Sequence, residues 1–236
     1  MRRHDPDAYS RFFAPSAAPK TGPSGFQNPP RPFVLRTSHL DGTAIAAGEA
    51  FHVGVNLFDT SGPASALFEQ ILSELLQEGL GPGRSRARLD CVDGSEPLHI
   101  SVTPHNVYVP RIRVRFLTPT ELKGAVTPDF GVLISRIRDR VSTLSALYGT
   151  GAFGIDFKAI GELASRVTAT RCEIEQIERT RRSRGTGQTH PLGGFVGLAE
   201  YAGDLAEFIP YLEIARWTGV GRQTVWGKGE IDFEQF

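Results

Sequence analysis

Cysteine is nearly absent from this chain: Cys91 and Cys172 are the only two among 236 residues, and neither has neighbours at metal-ligand spacing. A disulfide framework is therefore excluded, and no metal or cofactor site is expected. Long apolar runs are missing too, since no stretch approaches the roughly 20 residues needed to cross a bilayer. The basic N-terminus, MRRHDPDAYSRFFAP, lacks the apolar segment of a secretory signal. These absences predict a cytoplasmic protein that makes no membrane contact. Net charge is lacking as well: 26 basic residues balance 26 acidic ones, which argues against a generic polyanion binder. Lysine is scarce, because 22 of the 26 basic residues are arginine. The arginines cluster at 84/86/88, 111/113/115, 136/138/140 and 179/181/182/184. A guanidinium matches phosphate bidentately and stacks on bases, whereas lysine acts as a point charge.

What is present suffices for one large or two small domains, with 40% hydrophobic residues available for a core. Residues 1–30, rich in Pro, Ser, Gly and Ala, are expected to be extended or partly disordered. Strands are expected over 31–37 and 51–59. A helix follows, capped by Thr60 or Ser61 and carrying Ala64, Leu67, Phe68, Ile71, Leu72 and Leu75 as one stripe. Gly79 and Gly81 end it, and a further strand is expected near 87–92. The second half predicts strands over 99–103 and 111–117. It continues with helices over 129–148 and 156–167, a strand over 171–177, a basic loop over 179–187 and a strand over 192–201. A last helix starts near Asp204, with Asp204 and Glu207 as a capping box and Pro210 just inside. A final strand covers 230–233. This order suits an antiparallel sheet with helices on one face.

Two patterns suggest chemistry. In RIRVRF, period-2 alternation places Ile112, Val114 and Phe116 on one face and Arg111, Arg113 and Arg115 on the other, about 7 Å apart. Such a stripe either tracks a nucleic-acid backbone or forms the solvated face of a half-buried strand. The second pattern is TGVGRQTVWGKGE, residues 218–230, in which Gly219, Gly221, Gly227 and Gly229 follow a helical segment. Glycine lets the backbone approach a ligand, so exposed amides beside Arg222 and Lys228 would suit a phosphate. The spacing is neither a P-loop nor a dinucleotide fingerprint. A glycine-rich cap and turn explains it equally well.

Several pieces together resemble the CRISPR-associated precursor-RNA-processing endoribonucleases, the Cas-six family of the RAMP superfamily. They are RPFVLR (31–36), GLGPGRSRARL (79–89), VRFLTPTELKG (114–124), LGGFVGLAEYAGDL (192–205) and GVGRQTVWGKGEI (219–231). The resemblance implies an α+β protein of ferredoxin-like, RRM-like domains. The first would span 31–106 and be incomplete at its N-terminus, and the second would span 107–236. It implies metal-independent cleavage of CRISPR repeat RNA, with a 2′-hydroxyl attacking the adjacent phosphate to leave a 2′,3′-cyclic phosphate. It further implies that Gly219, Gly221, Arg222, Gly227, Lys228 and Gly229 face RNA, with the basic segment Arg179, Arg181, Arg182 and Arg184 beside them. Other CRISPR-associated proteins are implied as partners, and a homodimer is one way to cover the sheet edge of the incomplete domain. Among the six histidines, His190 is the first catalytic candidate because it joins the basic segment to the Gly-Gly pair. His39, in a turn after the first strand, is the second. The alternative is a catalytically degenerate RNA-binding or complex-forming protein of the same fold.

Overall fold

In the computed structural model the described residues are 6–15, 29–59, 64–81, 83–94, 96–104, 106–151, 153–178, 180–182, 189–191 and 193–236. The N-terminal half contains α1 (Pro6–Phe13), β1 (Phe33–Arg36), β2 (Gly54–Leu57) and α2 (Ala64–Glu78). The antiparallel β1–β2 hairpin packs with α1 and α2 through Phe12, Phe33, Ala64 and Phe68. The 1–30 segment thus departs from expectation in its described part, because Phe12 gives α1 an apolar anchor. Its ring meets Phe68 edge-on at 5.9 Å, and Arg11 forks onto the buried carboxylate of Asp59. The expected α2 stripe also shifts. Ala64, Phe68 and Leu76 are buried, whereas Leu75 is exposed.

The C-terminal half runs β3 (Arg111–Thr120), α3 (Phe130–Tyr148), α4 (Phe157–Ala164), β4 (Thr168–Ile177), β5 (Thr180–Arg182), β6 (Thr189–Pro191), β7 (Gly194–Ala202), α5 (Ile209–Thr218) and β8 (Ile231–Gln235). Strands β4-β7-β3-β8 form one antiparallel sheet in that order. The alternation in β3 is as read: Ile112, Val114 and Phe116 are buried against α3 and α5. From α3 come Leu133, Ile134 and Ile137, and from α5 Leu212 and Ala215, all almost fully buried. Each of the larger aliphatic side chains contributes about 1.5–3 kcal/mol by leaving water. Asp129 caps α3 by accepting from the amide of Val132 at 2.9 Å, and Asp156 caps α4 through Lys158 and Ala159.

Four further expectations change. Residues 87–92 form no strand; after a Leu80–Ser85 bridge the chain has no sheet neighbour there. Residues 99–103 keep their alternation, with Ile100 and Val102 on the core, but join no sheet. Of the 179–187 region, expected as a loop, the described residues 180–182 form a strand that pairs with 189–191, Arg181 with His190 and Arg182 with Thr189. Helix α5 begins at Ile209 rather than near Asp204, because proline lacks the amide an interior turn needs and is tolerated only in the first turn. One turn of 3-10 helix, Ala206–Phe208, precedes it. Within the 136/138/140 arginine cluster of α3, Arg140 is buried. Its Nε donates to the carbonyl of Thr218 at 2.9 Å.

Candidate nucleic-acid interface

Pro119 lies in β3 where the register against β7 shifts between Phe116 and Thr120. Proline cannot donate to a ladder, so the strand bulges there. Regular pairing with β8 also stops at Phe116, opposite Ile231. Beyond that point the glycine loop takes over as an irregular extension of β8. Gly229 donates to the Pro119 carbonyl at 3.2 Å, Arg222 to the Glu121 carbonyl at 3.1 Å, and Val220 to the Gly229 carbonyl at 2.8 Å. The Thr118 hydroxyl accepts from the Glu230 amide and donates to the Gly227 carbonyl, both at 2.9 Å. Gly219 ends α5, its amide donating to the Ala215 carbonyl.

The glycines therefore serve close packing more than exposure. Gly229 has φ +69°, and a Cβ there would lie 1.8 Å from the Val220 carbonyl oxygen. The amides of Gly219, Val220, Arg222, Trp226, Gly227 and Gly229 all donate within the protein. Exposed amides, one of the two readings of the sequence, are thus not what these residues provide. The reason is that the loop replaces a strand and must satisfy its backbone as a strand would.

Lys228 is buried at 6% exposure, and its ammonium donates to the Gly193 carbonyl at 2.7 Å and to Gln223 Oε1 at 3.0 Å. Burial pushes its pKa below the ordinary lysine value, with Glu121 opposing the shift. Arg222 is the loop's more exposed cation and pairs with Glu121 at 2.7 Å.

The other wall of the site comes from the end of β1. A Cβ on Gly227 would lie 3.0 Å from the Leu35 carbonyl, and Val225 packs on the N-terminal apolar cluster. Arg36 donates to the carbonyls of Arg216 and Trp217 at the C-terminus of α5 and pairs with Glu230 at 3.3 Å. Asn56 also donates to the Trp217 carbonyl, at 2.9 Å. With Arg140 on Thr218, the last carbonyls of α5 are held by two cations and an amide, which the helix dipole favours. Burial lowers the Arg36 pKa and, aided by the Arg36 charge, pushes Arg140 down to about 10.

His39 follows β1 in a single 3-10 turn, Ser38–Leu40, whose Ser38 hydroxyl donates to Glu230 at 3.4 Å. Its ring stacks on His52 at 4.0 Å, and its Nε2 lies 3.0 Å from the His52 carbonyl oxygen. A carbonyl only accepts, so Nε2 carries the proton and Nδ1 is left as the basic nitrogen. The structure thus brings Ser38, the residue before His39, to Glu230 at the exit of the glycine loop, while the His39 ring itself lies on His52. His190 lies in β6, near the Gly193 that Lys228 holds, but its side chain is outside the described residues. The same holds for the side chains of Arg181 and Arg182, while Arg179 and Arg184 lie wholly outside them.

The arginine stripe is matched across the sheet. Arg171, Glu200, Arg113 and Glu234 face one another on β4, β7, β3 and β8. Arg113 meets Glu200 and Glu234 at 2.6 Å each, and Arg115 meets Glu234 at 3.0 Å. The hydrogen bond from Arg113 is the main cause holding the Glu200 carboxyl below its usual range. Arg111 is exposed at the start of β3. The sequence reading passed over Glu121, Glu200, Glu230 and Glu234, since cross-strand register is what makes them partners. It also passed over the Arg36 contacts, whose partners lie 180 or more residues away.

Among the described residues no group of three or more His, Cys, Asp or Glu stands together to hold a metal ion. None of their helices is long and apolar enough to cross a membrane.

Comparison with known proteins adds to this geometry. Residues 114–231, half of the chain, match the family described as CRISPR-associated endoribonuclease Cas6. Residues 2–115 match a family described as an N-terminal domain. A Thermus thermophilus Cas6 solved as a product complex is similar at TM-score 0.58 and 19% identity, over 88% of this chain and 84% of that one. A second Cas6 product complex gives TM-score 0.48 at 20% identity, over 87% and 83% of the two chains. No curated protein matches. The β4-β7-β3-β8 sheet with α3 and α5 on one face is the ferredoxin-like arrangement, and by its family match this chain belongs to the Cas6 family of CRISPR-associated endoribonucleases.

Proposed function

We propose that this chain binds CRISPR repeat RNA across the glycine loop, the end of β1 and the β5–β6 hairpin, and cuts it there without a metal. His39 Nδ1 takes the proton of a ribose 2′-hydroxyl, and the 2′-oxygen attacks the adjacent phosphorus. The bond from phosphorus to the 5′-oxygen breaks, solvent protonates that oxygen, and a 2′,3′-cyclic phosphate remains. Arg222, at the exposed edge of the loop, stabilises the charge that develops on the phosphate. The basic hairpin supplies further phosphate contacts. The observation that carries this reading is the Ser38–His39 turn, whose Ser38 meets Glu230 at the loop exit and whose His39 has its tautomer set by the His52 carbonyl. The separate apolar clusters of the two halves support a division into two domains, and Ile100 and Val102, which pack on the C-terminal cluster, favour a boundary before residue 100 over one near 106/107.

The test is incubation of the purified chain with end-labelled repeat RNA in EDTA. Expected is a single cut ending in a cyclic phosphate. In His39→Ala cleavage falls by about 100-fold or more with RNA affinity retained. If His39→Ala cuts normally and His190→Ala does not, the catalytic role moves to β6. Binding without any product makes the chain a degenerate RNA-binding member of the family.

A further inference from the structure

Strand β4 is the outer strand of the C-terminal sheet, and among the described residues no strand pairs with its free edge. Its burial differs from that of its neighbours. Strands β3 and β7 alternate between covered and open positions, whereas no residue of β4 is buried. Arg171 shares the open face with Glu173 and Glu200, reaching the latter at 3.4 Å. Cys172, between Arg171 and Glu173, therefore points to the helix-covered face, and it too is exposed. Thus β4 is open along its edge and largely open on both faces. A long edge strand in that state is a template for another strand.

The charges on β4 decide which strand fits. A two-fold axis normal to the sheet pairs two copies of β4 with residues of the same face opposite one another, so it passes through a residue. Centred on Arg171, Glu173 or Glu175, the axis opposes like charges; centred on Ile174, it sets Glu173 against Glu175. Axes nearer either end lose much of the overlap. Centred on Cys172, it sets Arg171 of each copy against Glu173 of the other and pairs the strands from Thr168 to Gln176. The register slip against β7 falls between Ala169 and Arg171, so the central pairs lie in regular strand. Glu173 has room for a second cation. Its Oε1 meets Arg171 of its own strand at 2.8 Å, and among the described residues its Oε2 has no hydrogen-bond partner. Opposite charges facing one another across two strands stabilise the pair.

We propose that β4 pairs antiparallel with β4 of a second copy of this chain, joining two four-stranded sheets into one, with the two Cys172 residues side by side at the axis. The two β5–β6 hairpins continue from β4, so antiparallel pairing sets them at opposite ends of the joint and leaves each copy its own basic segment. The joint lies in the C-terminal domain, not at the sheet edge of the N-terminal one, and it needs no RNA.

Sedimentation velocity on the full chain over a concentration series tests this. A dimer is expected for the wild type. Arg171→Glu and Glu173→Arg each set like charges against one another in a homodimer and are expected to weaken self-association by at least about tenfold. Mixed together, these two variants should associate again, because each then faces its opposite. Misfolding of either variant would not give that result. In Cys91→Ser, a short bismaleimide is expected to link two chains through Cys172. A wild type that stays monomeric throughout overturns the proposal and leaves the edge to some other partner. A dimer indifferent to both charge variants, a mixture that does not re-associate, or a dimer not linked through Cys172 overturns it as well.

Discussion

The Lys228 ammonium stands 2.7 Å from the carbonyl oxygen of Gly193, and this contact ties the glycine loop to the start of β7. The basic hairpin is rooted at the same place, so one buried cation joins the two parts of the proposed RNA face.

Lys228→Met keeps the apolar stem and removes the ammonium. It leaves the Gly193 carbonyl and Gln223 without their donor, and stability is expected to fall by about 1–3 kcal/mol. RNA affinity falls with it, because the loop loses its anchor. Urea denaturation and filter binding on the same preparation read both effects.

Gly229→Ala tests the loop's role as a strand substitute. A new Cβ would lie 1.8 Å from a backbone oxygen at positive φ, where the conformation alone costs about 1–2 kcal/mol. The control is Gly42→Ala, with φ +73° and open space around the added atom. Thermal denaturation should place Gly229→Ala well below Gly42→Ala. Equal melting temperatures would mean that the loop relaxes freely.

The Arg113 guanidinium is answered by two carboxylates and should contribute little to counterion release. Arg113→Gln is therefore expected to leave the salt dependence of RNA binding unchanged. Replacing both Arg181 and Arg182 by Gln should reduce its slope by about 1.8, at about 0.9 per phosphate contact on a duplex. A slope that responds to Arg113 instead would move the RNA onto the open face of the sheet.

Tyr148 donates to the Pro30 carbonyl at 3.0 Å, and burial pushes its pKa up to about 12. The unfolded chain ionises this group near 10, so the folded state holds the proton longer. Its contribution is complete below about pH 10 and is lost as pH rises toward about 12. Wild type should lose more stability across that interval than Tyr148→Phe, as read by denaturant melts at each pH.

Local pattern determined much of this protein. The alternation of RIRVRF makes β3 half-buried whatever lies beside it, and the apolar spacing of 130–148 makes an amphipathic helix of α3. Asp129 and Asp156 mark their own helix starts, and Pro210 bars a helix from running through it. These are signals between residues within about one helical turn or one strand pleat of each other, and they can be read from the letters. Tertiary structure decided what those elements face. Arg113 and Glu200 become partners only through the register of β3 against β7. Ser38, beside His39, reaches Glu230 at the end of the glycine loop only because β1 packs against that loop. The four glycines of 218–230 read equally as a phosphate cradle or as a turn. The choice fell to close packing because Pro119 bulges β3 and hands its hydrogen-bonding groups to the loop. Residues 99–103 alternate like a strand and are none, since a strand needs a neighbour with free backbone groups and their place in the fold offers only a core to cover.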